Sequence, residues 1–245
     1  MTGIVSPWGG RPAGRDTPLA QASMPALARG QLHEIHAHGA DWAAALAFAL
    51  AMGEKSQDGA IFALRTPRRH RLPMVFSGDG LALLGIRPDR LTIVEAGNEK
   101  DMLRAGLEAA RCGGVGAVLM ESEGRFADYD LTASRRLVLA AEASRACVLL
   151  LRGDAEPRSS GAQTRWSIRS APSQAWEAEA PGWPAIDAEL LRYRGGPAGG
   201  RWRLMWDEDD GRFRDAARPQ TVPGAVVPLS RLRTGADGDA RRYVA

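Results

Sequence analysis

Lysine is nearly missing from this chain. Lys55 and Lys100 are the only two in 245 residues, so thirty of its 32 basic side chains are arginine. No Gly-Lys pair occurs at any position. That excludes the G-x-x-x-x-G-K-[ST] phosphate loop, in which backbone N–H groups wrap the phosphates, the lysine reaches the terminal ones and the hydroxyl holds magnesium. The segment "GEKS" does contain Lys55-Ser56, but it follows a helical stretch instead of opening one and reads as a solvent-facing turn. Cysteine is scarce as well. Cys112 and Cys147 adjoin apolar segments with no CxxC spacing, which predicts two buried thiols in a reducing compartment, the cytoplasm. No run approaches the roughly 18 apolar residues of a membrane span, and no basic stretch leads into an apolar one at the N-terminus, so neither a membrane nor an export role is expected. No Ser-His-Asp or Cys-His grouping stands out, which leaves nucleophilic catalysis without support.

A hydrophobic content of 44% is enough for one sizeable core, and the formal charge is only +3. The arginine bias suits a bidentate grip on phosphate, and it equally suits an Arg/Ala/Gly codon composition. Residues 1–30 hold four prolines and five glycines, which predicts an extended leader or, alternatively, a short helix near Leu19 to Ala28. From Gln31 a strand runs into a helix. Further strands are predicted at 59–65, 90–96, 115–122 and 147–152. Between them lie two helical patterns, "NEKDMLRAGLEAARCGG", with Asn98 as N-cap and Gly113 as stop, and "DLTASRRLVLAAEASRA". Such alternation implies parallel crossovers and a sheet covered on both faces. The segments 163–171, 185–194 and 200–208 have no helices between them and predict an antiparallel extension, with a turn at Asp209 to Gly211. Trp202 and Trp206 then share one strand face and belong to the core. From Asp215 the chain is rich in Gly, Pro, Arg and Asp, which predicts a tail of low order that could bind a partner.

The stretch "LGIRPDRLTIVEAGNEKDMLRAGLEAARCGGVGAVLMES", with its lead into a strand, a helix opening on an acidic residue and an apolar strand, resembles the RecA core. The likeness continues through "SSGAQTRWSIRSA" and spans about residues 31 to 208. Within that superfamily "LHEI", the length and "GAVVPLSRLR" look most like the ImuA family of damage-inducible mutagenesis cassettes. The resemblance implies an α/β fold with a RecA-like core, a parallel βα sheet extended by C-terminal antiparallel strands. It divides the chain into a leader (1–30), a RecA-like domain (31–214) and a tail (215–245). It also implies a non-polymerase accessory of SOS-induced translesion synthesis, with an ImuB-like protein, RecA and an error-prone DNA polymerase as partners and indirect contact with DNA. Two alternatives stay open, a SulA-like inhibitor that binds FtsZ and a recombinase paralogue with an unusual nucleotide site.

Against the RecA pattern, each part of the nucleotide site is degraded. Gly39 stands alone in "HAHGADW", Glu121 replaces the Walker B aspartate, and Arg152-Gly153 takes the place of the glutamine that senses the γ-phosphate. No acid follows the second strand, where "ALRTPRRH" stands instead. The expectation is no ATP hydrolysis, no catalytic residue and no cofactor. The segments that would be DNA-contacting loops, 123–130 and 153–160, are short and are expected as ordinary solvated surface. Arg68, Arg69 and Arg71 in "RTPRRHR", with Arg158 and Arg165, are the candidate contacts for a partner or DNA. In "HEIHAH" a strand would bring Glu34, His36 and His38 to one side, with Asp41 near, which suggests a metal. The competing reading is a strand followed by an irregular loop, and no metal is expected.

Overall fold

The computed structural model describes residues 23–53, 59–67, 76–173, 175, 180 and 182–216. In chain order the elements are β1 (Gln31–Ala37), α1 (Trp42–Met52), β2 (Ala60–Arg65), α2 (Gly78–Leu83), β3 (Leu91–Glu95), α3 (Glu99–Arg111), β4 (Val115–Glu123) and α4 (Leu131–Ser144). Five strands follow: β5 (Cys147–Gly153), β6 (Thr164–Ala171), β7 (Ala185–Tyr193), β8 (Arg201–Asp207) and β9 (Arg212–Asp215). All the strands join one sheet in the order β3-β2-β4-β5-β1-β6-β7-β8-β9. The first six are mutually parallel and the last three antiparallel, so the protein is α/β with a mixed sheet. The segment 163–171, expected within the antiparallel extension, is instead the last parallel strand, and the direction reverses only at β7.

Local chemistry accounts for the helices. Asn98 accepts the Asp101 N–H at 2.9 Å and opens α3, while Asp130 accepts the Ala133 N–H at 2.7 Å and opens α4. Met102, Gly106, Ala109 and Ala110 form the buried stripe of α3. Gly106 lets that helix approach Met120 of β4, whose sulfur would stand 2.3 Å from a Cβ there. α1, "WAAALAFALAM", has no polar face and is correspondingly buried along much of its length. It packs with Ile35, Leu149, Leu151, Trp166, Trp202 and Trp206 on one side of the sheet, and α3 and α4 cover Leu32, Met120, Val148 and Leu150 on the other. Trp202 and Trp206 are thus in the core, as their spacing predicts. β4 and β5, covered on both faces, are buried at nearly every position, which is why they read as unbroken apolar runs.

Three expectations need correction, and one helix, α2, was not read from the sequence. Residues 23–28 are not helical, and Leu27 is only 1% exposed and bridges Gly53, so the packed unit begins before residue 31. α2 is a single short helix capped by Ser77; two glycines and six residues give it no legible period. Cys112 is exposed at the end of α3, and only Cys147 is buried. The loops after β4 and β5 are not simple solvated surface, because Phe126, Tyr129 and Ser160 are buried. The tail beyond residue 216, Lys55-Ser56 and Arg68, Arg69 and Arg71 lie outside the described residues. Among the described residues no helix is long and apolar enough to cross a membrane.

Candidate functional site

The carboxyl ends of β1, β4 and β5 are where an open α/β sheet presents ligand-binding groups. Polar networks flank both faces there. On the α1 face the connection after β1 tightens into a single 3-10 turn, Gly39–Asp41. The Gly39 N–H donates to Asp154 Oδ1 at 3.2 Å, and His38 Nδ1 lies 3.3 Å from the same oxygen. Asp154 adopts a left-handed backbone with φ of 45°, and its own N–H donates to the Ala37 carbonyl at 3.0 Å. Its carboxylate therefore sits against the backbone donor that a phosphate-binding turn would offer to a ligand. Asp41 is engaged too, accepting the Ser170 N–H at 2.8 Å.

Glu121 is buried beside this turn. Burial pushes its carboxyl up to about 7, and the Arg65 charge and the Trp42 indole offset this only in part. The Trp42 ring lies over the end of β5, where a Cβ on Gly153 would come within 2.6 Å of it. Glycine is required there by close approach. Gly153→Ala is expected to cost about 1–3 kcal/mol through overpacking, read as a lower urea midpoint together with a shift in tryptophan emission. An unchanged midpoint would mean that the indole is not held against β5.

The opposite face carries a buried ion pair. Glu34 on β1 receives Arg165 Nε at 2.5 Å and the Tyr129 hydroxyl at 2.6 Å. Burial by itself would raise the Glu34 carboxyl, but His36, Arg165, Ser160 and Tyr129 together outweigh it and hold it down at about 2. Tyr129 is in turn pushed well above its ordinary value, by burial first and then by the Glu34 charge. Arg165 also donates to the Ser160 hydroxyl at 3.1 Å and to the Arg158 carbonyl. At 8% exposure it is not available to a partner or to DNA. Its assignment as a contact residue is corrected to a core ion pair, because register places it directly beside Glu34. Arg158 is exposed.

Arg152 is buried as well. Its guanidinium carbon lies 5.8 Å from the centroids of both the Phe126 and Tyr129 rings, and Nη2 donates to the Gly124 carbonyl at 3.0 Å. His36 Nδ1 is 3.1 Å from the Ala155 carbonyl, and Nε2 is 3.8 Å from Glu34 Oε2. His38 turns instead to Asp154, away from Glu34 and His36, and among the described residues no group of three His, Cys, Asp or Glu is arranged to hold a metal.

Gly39, Glu121 and Arg152 thus lie at the same end of the sheet but are divided between its two faces. Sequence reasoning missed Trp42, Asp154 and Tyr129. One signal was legible: Glu34 lies inside a short strand between Leu32 and Ile35, and a carboxylate buried there needs a cation. No protein-family model and no curated protein sequence matches this chain.

Proposed function

We propose that the chain is a non-catalytic, RecA-like adaptor of the ImuA type, acting in the cytoplasm in SOS-induced, error-prone translesion DNA synthesis. It binds an ImuB-like protein, and RecA, and organises an error-prone polymerase at damaged DNA, touching the DNA indirectly. The parallel βα units followed by antiparallel strands support the RecA-like part of this reading. The observation that carries it is the self-occupied turn after β1. Asp154 takes the Gly39 N–H, and the Trp42 indole lies against Gly153 and beside Glu121. A triphosphate there would meet the Asp154 carboxylate where it needs a cation, and the turn holds no lysine to reach its phosphates. A scaffold with this turn works by holding macromolecules, through exposed strand edges, the arginines at 68, 69 and 71, and the tail.

The test has two readouts. Equilibrium dialysis of the purified chain with magnesium and labelled ATP is expected to give no saturable uptake, and tight magnesium-dependent capture would overturn the ATP-free mechanism. The full chain is expected to retain an ImuB-like partner in a pull-down, less well when residues 215–245 are deleted or Arg68, Arg69 and Arg71 are neutralised. Failure of the intact chain to retain it would overturn the adaptor role.

A further inference from the structure

Arg192 Nη1 and Arg194 Nη2 donate to one oxygen, the Ser160 carbonyl, at 2.9 and 3.1 Å, and Arg194 Nε donates to the Ala162 carbonyl at 3.1 Å. Two guanidinium groups thus share a neutral acceptor that cancels neither charge. Burial first, and then the charges of Arg194 and Arg165, lower the Arg192 pKa, and Glu34 and Tyr129 offset this in part. Arg158 stands exposed two residues before Ser160. Other arginines of the chain are matched by carboxylates, Arg201 by Glu189, Arg203 by Asp187, Arg87 by Asp89 and Arg104 by Asp101. Among the described residues no ion pair includes Arg135, Arg158, Arg192 or Arg194.

The connection that carries Ser160 lies against α4. The Gly161 N–H donates to Ser134 Oγ at 2.9 Å, and a Cβ on Gly161 would stand 3.3 Å from Val138 Cγ2 and 3.4 Å from the Arg135 nitrogen. Spacings of three and four residues place Leu131, Arg135, Val138 and Leu139 along this side of the helix. Leu139 is 65% exposed and Leu131 38%, and Arg135 is exposed between them. Aliphatic and cationic groups therefore share one surface. The carboxylates near it do not neutralise it: Glu34 is committed to Arg165 and Tyr129, Asp130 caps α4, and Glu142 and Glu156 are exposed and in no ion pair.

The ends of the chain do not supply the missing negative charge. Residues 1–22 hold Arg11 and Arg15 against Asp16, and residues 217–245 hold five arginines against Asp237 and Asp239. A nucleic-acid strand would use the arginines and leave the leucines idle. It would also find no ring to stack on, because the Tyr129 ring that neighbours Ser160 is buried and Tyr193, between the two arginines, packs on the α1 side of the sheet. A peptide that bears both carboxylates and aliphatic side chains matches the whole surface. We propose that Arg135, Arg158, Arg192 and Arg194, together with Leu131 and Leu139, form a docking surface for an acidic, amphipathic segment of a partner protein. This rests on the adaptor reading for its purpose and on the geometry for its chemistry.

Fluorescence anisotropy of the full chain with a labelled synthetic peptide of glutamate, leucine and alanine, its leucines at i and i+4, tests it at constant ionic strength. Because the peptide replaces any ImuB-like protein, its failure to bind is distinct from failure of the pull-down. Saturable binding is expected, at least about tenfold weaker in the double variant Arg135→Glu/Arg158→Glu, which turns attraction into repulsion. Leu139→Asp is expected to weaken it about tenfold through lost apolar burial. Arg87→Glu/Arg104→Glu makes the same change of net charge at arginines already paired, and should bind as the wild type does. Polyglutamate and a single-stranded oligonucleotide of equal charge should bind at least about tenfold more weakly than the peptide. Circular dichroism establishes that each variant is folded, and the exposed position of Leu139 lets that variant carry the test if a charge reversal does not fold. The proposal is overturned by an absence of saturable binding in the wild-type chain, by Arg135→Glu/Arg158→Glu or Leu139→Asp binding as the wild type does, by an equal loss in Arg87→Glu/Arg104→Glu, or by polyglutamate or the oligonucleotide matching the peptide.

Discussion

Replacing Arg165 by methionine is expected to lower the unfolding free energy by about 3–5 kcal/mol, because Glu34 would be left as a buried charge without its cation. Glu34 receives Arg165 at 2.5 Å and Tyr129 at 2.6 Å within a strand that is buried at every position after the first. Glu34→Gln alone should cost a comparable amount, since Arg165 would then be the stranded charge. The double variant should be closer to the wild type than the sum of the singles, by about 1–3 kcal/mol. Urea denaturation of the four proteins measures this coupling, and strictly additive losses would show that the pair is not an energetic unit. Acid should have the same effect as removing the charge. The Glu34 carboxyl is held at about 2 when folded against 4.5 when free. Its stabilisation is therefore complete above pH 4.5 and disappears as pH falls towards 2, a loss of about 3 kcal/mol.

Glu121→Gln is expected to stabilise the protein at pH 8, again by about 3 kcal/mol. In the folded protein burial lifts the Glu121 carboxyl to about 7 from 4.5. Between those values the native state keeps a proton that the unfolded chain has released, so stability falls as pH rises through this window and stays lower above it. His33 works in the opposite direction. Its ring is buried with Nδ1 2.8 Å from the Thr164 hydroxyl and Nε2 3.0 Å from the Ala28 carbonyl, and burial lowers it from 6.5 to about 4. Its contribution is lost as pH falls from 6.5 towards 4. From pH 4.5 to 6.5 the two slopes nearly cancel, and the wild type should change little. The Gln variant removes one of them and should gain about 2–3 kcal/mol across the same range. Equal pH profiles for the two proteins would show that the Glu121 carboxyl is not perturbed.

The Trp42 indole and the Asp154 carboxylate explain why the β1 turn does not resemble a ligand cradle, yet neither is legible along the chain. Trp42 reads as the first residue of an apolar helix, and only the packing of that helix on the sheet brings its ring to Gly153. Asp154 is 115 residues from Gly39 and reaches it because β1 and β5 pair in register, Ala37 beside Gly153. Arg165 misled for the same reason. An arginine amid polar neighbours reads as surface, and its burial depends on which strand lies next to it. The two loops expected as solvated surface were misread because Phe126 and Tyr129, five and eight residues past Glu121, fold back over Arg152.

The sequence alone determined most of the elements and the α/β class. Unbroken apolar runs for central strands, helical stripes with Asn98 and Asp130 as caps, and the absence of any Gly-Lys pair are local properties, decided by backbone geometry and solvation within a few residues. The tertiary structure alone decided which charges are buried and with whom. Glu34 with Arg165, and Gly39 with Asp154, each join residues far apart in the chain. Burial energies depend on what surrounds a group in space, and strand order and register set those surroundings.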